Sequence, residues 1–207
     1  MKTSRRNNLV LPIFVFTCFF IYLQKIDLNM KIKLIVCINN KNVIGRNGGL
    51  LFHIKNDHQN FKRMTSDNVV IMGKNTFDTL PNSQPLPNRI NIIITNDLNY
   101  SVNGHDNVFV VHSIQEAVDF CKSFKDKDLF VIGGGSIYNQ FLDEDLIDEA
   151  FVTKVEDNSI ESGDILINEN FCNHDKWKLC FETDYQYQII DGQNIKYKYT
   201  FLKRKQK

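Results

Sequence analysis

The chain has 207 residues with 25 Lys and Arg against 24 Asp and Glu, a formal charge of +1, which removes the global electrostatic case for a nucleic-acid partner. A hydrophobic content of 43% with sixteen Phe supports a sizeable core and excludes a generally disordered chain. The five cysteines, Cys18, Cys37, Cys121, Cys172 and Cys180, form no CxxC and have no His at ligand spacing. No metal site is therefore expected, and an odd, scattered set suits a reducing compartment.

Residues 1–29 differ from everything after them. Lys2, Arg5 and Arg6 precede "LVLPIFVFTCFFIYL", Leu9 to Leu23, and Gln24 extends the uncharged stretch. A bilayer span needs about 20 residues, so this one is short. Three readings stand side by side: a membrane anchor through residues 9–24, a cleaved signal peptide, or an upstream extension with translation beginning at Met30. No small-x-small cleavage pattern follows, which weighs against the second. Residues 30–207 read as one domain.

From Lys31, "KIKLIVCIN" is a buried-type strand, and the Gly-bearing loop "NKNVIGRNGGLLF" leads to an opening helix, "HIKNDHQNFKRM", residues 53–64. Ile54, His58, Phe61 and Met64 fall on one face of that helix. Asp57, three after Ile54 and four before Phe61, points with them. Two readings fit Asp57: a first-turn residue favoured by capping and the helix dipole, or a carboxylate aimed at a pocket, where burial raises its pKa. "NVVIMG" is the next strand and "KNTFDTL" a short helix. A Pro-punctuated loop, "PNSQPLPNR", precedes the strand "INIIIT". "NVFVV" is a short strand, then "SIQEAVDFCKSF" a helix with Ser113 as cap and Glu116 at the capping-box position.

"LFVIGGGSIYNQFL" reads as strand, three glycines and helix. Glycine permits close backbone approach, and the helix start offers N–H groups and a dipole to an anion; a tight turn with positive φ is the alternative. "VIMGKNTF" repeats the grammar, and two such sites suit a ligand with more than one phosphate, such as a dinucleotide. From Leu146 the pattern becomes long strand-like runs, "LIDEAFVTKVE", "WKLCFETDYQYQI" and "IKYKYTFLKR". Strand–helix alternation followed by antiparallel-looking strands predicts an α/β fold with a mixed sheet, mostly parallel and antiparallel at its C-terminal end, flanked by about four helices.

The order of these pieces resembles dihydrofolate reductase. The match rests on "LIVCINNKNVIGRNGGLLFHIKNDHQNFKRMT", "VIMGKNTFDTL", "PLPNRINIIIT", "VIGGGSIYNQF" and "FVTKVE" followed by Gly163-Asp164, over about Lys31 to Arg204. The resemblance implies NADPH-dependent reduction of dihydrofolate to tetrahydrofolate by a monomer whose catalytic domain lies in the cytoplasm. Asp57 would bind the pterin ring and favour protonation of N5, and Thr153 would support it by hydrogen bonding. Ile35, Phe52, Phe61, Leu80, Leu86 and Ile132 would wall the substrate, and Arg89 would pair with its glutamate carboxylate.

The same resemblance implies the cofactor site. Cys37, Val43, Ile44 and Gly45, with Arg46, Asn47, Gly48 and Gly49, would lie along the nicotinamide side. Lys74, Asn75 and Thr76 would serve one phosphate-binding start. Ile132, Gly133, Gly134 and Gly135, with Ser136, Ile137 and Tyr138, would serve the other. Thr95, Asn96 and His112 would flank the adenosine, with Lys74 and His112 as positive groups near a 2′-phosphate. Gly134-Gly135 would be the family's cis peptide.

Three positions depart from the family pattern. Leu51 replaces a proline, Phe52 a tryptophan beside the pterin, and Asn88 the glycine of PLPGR. Gly48-Gly49 is expected to loosen the loop over the nicotinamide. Two rivals are a riboflavin-pathway reductase of the same fold and a non-catalytic nucleotide-binding scaffold. Asp57 and Arg89 argue against the first, the retained acid and phosphate sites against the second.

Overall fold

The computed structural model describes residues 30–157, 163, 165–168, 171–172 and 175–205. The hydrophobic stretch at residues 9–24 lies outside these, as does Asp164. Among the described residues no helix is long and apolar enough to cross a membrane.

The elements run β1 (Ile32–Asn39), β2 (Val43–Arg46), β3 (Gly49–Leu50), α1 (Lys55–Thr65), β4 (Val69–Gly73), α2 (Lys74–Asp78), β5 (Ile90–Ile94), β6 (Val108–Val111), α3 (Ile114–Cys121), β7 (Leu129–Gly133) and α4 (Gly135–Asp143). Five strands follow among the described residues: β8 (Glu149–Glu156), β9 (Ile165–Leu166), β10 (Trp177–Glu182), β11 (Gln186–Ile190) and β12 (Gln193–Arg204). The main sheet has the order β10-β12-β8-β1-β7-β4-β5-β6, with β11 also paired to β12. β8, β1, β7, β4, β5 and β6 are mutually parallel, and β12 runs antiparallel to β8, β10 and β11. The expected α/β architecture, a mostly parallel sheet with antiparallel C-terminal strands and four helices, is the one observed.

The helices divide two to a face, which explains the unbroken apolar strands. Val69, Val70, Ile71 and Met72 of β4 are all fully buried, as an interior parallel strand covered on both sides requires. On one face Ile114, Ala117 and Cys121 of α3 and Ile137, Phe141 and Leu142 of α4 pack on Leu34, Ile71, Ile92 and Val131. On the other, Phe77 of α2 and Met64 of α1 pack against Val70, Met72, Ile93 and Phe130. α3 starts as its sequence predicts, with Ser113 Oγ accepting the Glu116 N–H at 3.1 Å. Glu116 reaches one residue further back than the usual capping box, to the His112 N–H at 2.7 Å.

Three expectations change. The loop "NKNVIGRNGGLLF" is a hairpin, with Gly45 opposite Leu50 and Arg46 opposite Gly49. Its two linking residues, Asn47 (φ 51°) and Gly48 (φ 76°), both have positive φ, the geometry that lets a two-residue turn match strand twist. Gly48-Gly49 is thus a turn residue and a strand residue in a small second sheet, β3-β2-β9, rather than a loose pair. "WKLCFETDYQYQI" is two strands, broken at Thr183–Tyr185 so that both pair with β12. His58 is exposed, because α1 rests on the sheet through Asp57, Phe61, Met64 and Thr65.

Candidate functional site

Asp57 is the third residue of α1, and the residue at the helix cap, Ile54, makes no side-chain cap hydrogen bond. Asp57 does not fill that role. Its Oδ1 accepts a hydrogen bond from the hydroxyl of Thr153, on β8 and 4% exposed. Cys37 on β1 and Tyr199 on β12 flank Thr153 in register, so the sheet presents the hydroxyl from between its neighbours. Burial pushes the Asp57 carboxyl above the usual carboxylate range, while the Thr153 hydroxyl and nearby His58 pull it back down. Burial likewise drives the Cys37 thiol and the Tyr138 phenol upward, with the Asp57 charge adding to both. Tyr138 stays a neutral donor, its hydroxyl bonded to the Ile35 carbonyl at 2.7 Å.

The expected substrate walls separate into groups. Leu80, Leu86, Ile132 and Ile35 are half-buried against the Val70, Met72, Phe77, Ile93 and Phe130 cluster, with Met64 of α1 among them. Phe61, one turn after Asp57, lies under the Arg89 guanidinium, 5.8 Å from ring centre to Cζ. Phe52 belongs elsewhere: it packs with Ile54, Val155 and Tyr197, and Cys37 borders that cluster. Arg89 is buried, and burial lowers its pKa. Its Nε donates to Thr65 Oγ1 at 2.8 Å, Nη1 to the Pro87 carbonyl at 3.0 Å and Nη2 to the Lys62 carbonyl at 3.5 Å. These use three of the five guanidinium N–H groups, leaving one on each terminal nitrogen for a carboxylate.

Asn91 belongs with this group and was not singled out from the sequence. Fully buried on β5, it accepts the Leu86 N–H at 3.0 Å and donates to the carbonyls of Leu86 and Arg89 at 3.0 and 3.1 Å. It thereby clamps the "PLPNR" loop. A lone Asn inside the apolar run "INIII" was the available signal. Asn88, standing where the family motif carries glycine, has φ 56°, a left-handed backbone that Asn tolerates better than most residues.

The predicted cofactor residues line the carboxyl edge of the parallel strands. Gly73 of β4 pairs with Ile94 of β5, Ile94 with Val111 of β6, and Met72 with Gly133 of β7. Lys74, Thr95, Asn96, His112 and Gly134 follow directly on these strand ends, the edge where open α/β sheets take ligands. His112 Nδ1 contacts the Thr95 carbonyl at 2.9 Å. Lys74 is engaged by Asp78 at 2.6 Å and lies 5.0 Å from the Tyr100 ring centre. That pairing raises its pKa and partly spends its charge.

The glycine triplet has packing causes of its own. A Cβ on Gly133, whose φ is +112°, would come within 2.9 Å of the Tyr138 ring, and one on Gly135 within 2.8 Å of Ile165. A Cβ on Gly134 would lie 3.1 Å from Thr76 Oγ1, so α2 and the α4 start approach each other closely. The cis peptide is Gly133-Gly134, one bond before the expected Gly134-Gly135. Val43, Ile44 and Gly45 are buried on β2, whereas Arg46, Asn47, Gly48 and Gly49 form the exposed hairpin tip. Asn75 and Ser136 are exposed at the two helix starts, and Ile137 is buried beneath α4. This cradle fits a nicotinamide dinucleotide: backbone amides at the α4 start for phosphate, small residues beside them, and uncharged side chains at Cys37 and Tyr138. Among the described residues no cluster of His, Cys, Asp or Glu is arranged to hold a metal ion.

Comparison with known proteins agrees with this geometry. A family model described as dihydrofolate reductase matches residues 31–206. A dihydrofolate reductase of Haemophilus influenzae is 30% identical over 165 residues, 80% of this chain and 92% of that protein. One of Staphylococcus aureus is 28% identical over 127 residues, 61% of this chain and 72% of that protein. Among solved structures, a dihydrofolate reductase from Enterococcus faecalis complexed with NADP(H) and RAB-propyl superposes with a TM-score of 0.70 at 23% identity. That match covers 85% of this chain and 97% of the other.

Proposed function

The chain belongs to the dihydrofolate reductase family, and from that premise we propose that it reduces 7,8-dihydrofolate to tetrahydrofolate with NADPH. The observation that carries this reading is the Asp57–Thr153 pair: a half-buried carboxylate with an elevated pKa, held by a buried hydroxyl.

The free Asp57 oxygen accepts from the pterin amide N–H and 2-amino group, fixing the ring's orientation. An acid whose affinity for protons is raised holds a proton nearer neutral pH and favours protonation at N5. The Tyr138–Ile35 hydrogen bond braces the wall between pterin and nicotinamide. Arg89, oriented by Thr65, Pro87 and Lys62, meets the glutamate carboxylate with its two remaining N–H groups. When bound, the reduced nicotinamide supplies the hydride that C6 receives. Cradle residues Gly133 to Ser136 and Thr76 hold its phosphates. The NADP(H) of the Enterococcus faecalis complex supports that choice of cofactor.

The test follows NADPH oxidation with dihydrofolate for wild type and Asp57→Asn. Loss of a positioned acid costs about 10²- to 10⁴-fold near neutral pH, with partial recovery at low pH, where substrate arrives protonated. A folded wild type that binds NADPH and leaves dihydrofolate untouched overturns the reading.

A further inference from the structure

One edge of the main sheet is left open. β10 and β11 each pair with β12 on one side, and among the described residues no strand lies on the other. Open edges are ordinarily blunted by charge, by Pro or by brevity. The opposite edge follows that rule: β6 has four residues, none of them exposed, and Phe109 packs on Phe120 of α3. β11 does not. Tyr185 to Ile190, "YQYQII", carries no charge and no Pro, and its aromatic and branched residues suit a strand. Of the eight large hydrophobic side chains exposed among the described residues, five lie on this edge: Leu179, Phe181, Tyr185, Tyr187 and Ile189.

We propose that this edge pairs with the same edge of a second copy of the chain, β11 against β11 in antiparallel register about Tyr187, giving a two-fold dimer in place of the monomer that the family resemblance implies. The backbone sets the phase. Asp191 (φ 49°) and Gly192 (φ 79°) link β11 to β12 as a two-residue turn, so Ile190 and Gln193 form the hydrogen-bonded pair that closes it. Alternation along the ladder then turns the N–H and C=O of Gln188 toward β12 and those of Tyr187 and Ile189 outward. In the two-fold register each Tyr187 donates its N–H to the carbonyl of the other, and Ile189 lies opposite Tyr185 of the second copy. The side chains agree with the backbone. Lys196, opposite Tyr187 on β12, also covers the Tyr185 ring at 3.9 Å, so Tyr185, Tyr187 and Ile189 share a face. Gln188 turns to the other face, where it accepts the Lys55 N–H at 3.0 Å and donates to the His53 carbonyl at 3.3 Å. The register therefore sets Tyr and Ile against Tyr and Ile, and Gln186 against Gln188. Tyr185, Tyr187 and Ile189 are 36%, 60% and 74% exposed. With a whole aromatic side chain at about 150–250 Å², two copies bring on the order of 600 Å² of side chain to the contact. Strand backbone and the Gln side chains take the total toward about 1,000 Å², the lower bound for a specific interface and the range of concentration-dependent dimers. Each copy offers one such edge, so the pairing closes at two.

The test is equilibrium sedimentation of the full chain. A monomer–dimer equilibrium is expected, half-dissociated between about 1 and 100 μM. Tyr187→Lys sets like charges opposite each other at the two-fold, and Ile189→Lys charges both ends of the ladder. Each weakens the dimer at least about tenfold. Leu98→Lys, on the exposed loop after β5, leaves it unchanged. All three positions are exposed, and thermal melts confirm that the variants are folded. Cysteine pairing reads the register in a Cys180→Ser background, which removes the exposed native thiol of β10. Tyr187→Cys oxidises to a disulfide-linked dimer, because position 187 meets itself across the axis. Gln186→Cys, which meets position 188, does not. A chain monomeric throughout the concentration range overturns the proposal. So does a dimer that survives both lysine variants, as it would if residues 1–29 held the copies together, or Tyr187→Cys that crosslinks no better than Gln186→Cys. No step of the test uses turnover, so a chain that fails to reduce dihydrofolate leaves the result decisive.

Discussion

Replacing Thr153 by valine isolates the chemistry of Asp57. The side chain is 4% exposed, and valine keeps its shape, so the change removes a hydroxyl without opening space. What is lost is a hydrogen bond donated to a half-buried carboxylate, one of the influences holding its pKa down against desolvation. A hydrogen bond to a charged group contributes about 1.5–3 kcal/mol, and 1.4 kcal/mol is tenfold in an equilibrium. The ionised form is disfavoured by that amount, so Asp57 binds its proton roughly 10- to 100-fold more tightly in Thr153→Val. Activity that depends on the retained proton then persists to higher pH. The assay is kcat/KM for NADPH-dependent dihydrofolate reduction between about pH 5 and 10, with Thr153→Ser alongside. The alkaline fall moves upward in Thr153→Val and returns toward wild type in Thr153→Ser. A folded Thr153→Val whose profile superimposes on wild type refutes the coupling.

Asp57→Asn is expected to stabilise the fold near neutral pH even as it removes activity. The folded-state pKa is raised above the unfolded value, so the folded state binds more protons, and the wild type loses stability as pH rises from the unfolded value through the folded one. Melting temperatures of the pair should therefore coincide in acid and separate, mutant higher, toward pH 7. Arg89→Leu should raise KM for dihydrofolate about 10- to 100-fold, the scale of a lost charged pair of about 1.5–3 kcal/mol, and leave KM for an analogue lacking the glutamate little changed. Since the arginine also ties Thr65, Pro87 and Lys62 together, its melting temperature should fall. Gly135→Ala would set a Cβ 2.8 Å from Ile165 Cγ2 and 3.0 Å from the Leu166 carbonyl. A backbone neighbour yields little, so a loss of about 1–3 kcal/mol is expected in chemical denaturation.

Where interactions are local, the residues could be read directly. The runs "KIKLIVCIN", "NVVIMG" and "INIIIT" became interior parallel strands because apolar side chains on both faces demand cover on both faces. Ser113 capped α3 because the bond it makes spans three residues. Asn47-Gly48 was equally local, and the turn was missed although its dipeptide is a strong hairpin signal. His58 was misassigned for another reason. A helix of eleven residues has a periodic face only to within a residue's rotation, and its contact with the sheet chose Asp57 and Thr65 over His58.

The carboxylate itself shows the division most plainly. That Asp57 lies on the inward side of a helix follows from spacing along the chain, because a 3.6-residue period is a property of neighbours. That it meets Thr153, 96 positions away, depends on β8 pairing beside β1. The alignment of Gly73, Ile94, Val111 and Gly133 on one edge depends on strand order and register. So does the cavity of about 530 Å³ lined by Asp57, Asn60, Phe151, Phe181 and Tyr199, which requires α1, β8, β10 and β12 to be packed together. Local sequence determined which segments became strands or helices and which residues turned or capped them. Which buried groups became partners was decided only by the tertiary structure, because desolvation and hydrogen bonding act on what is near in space, and the sheet brings together what the chain keeps apart.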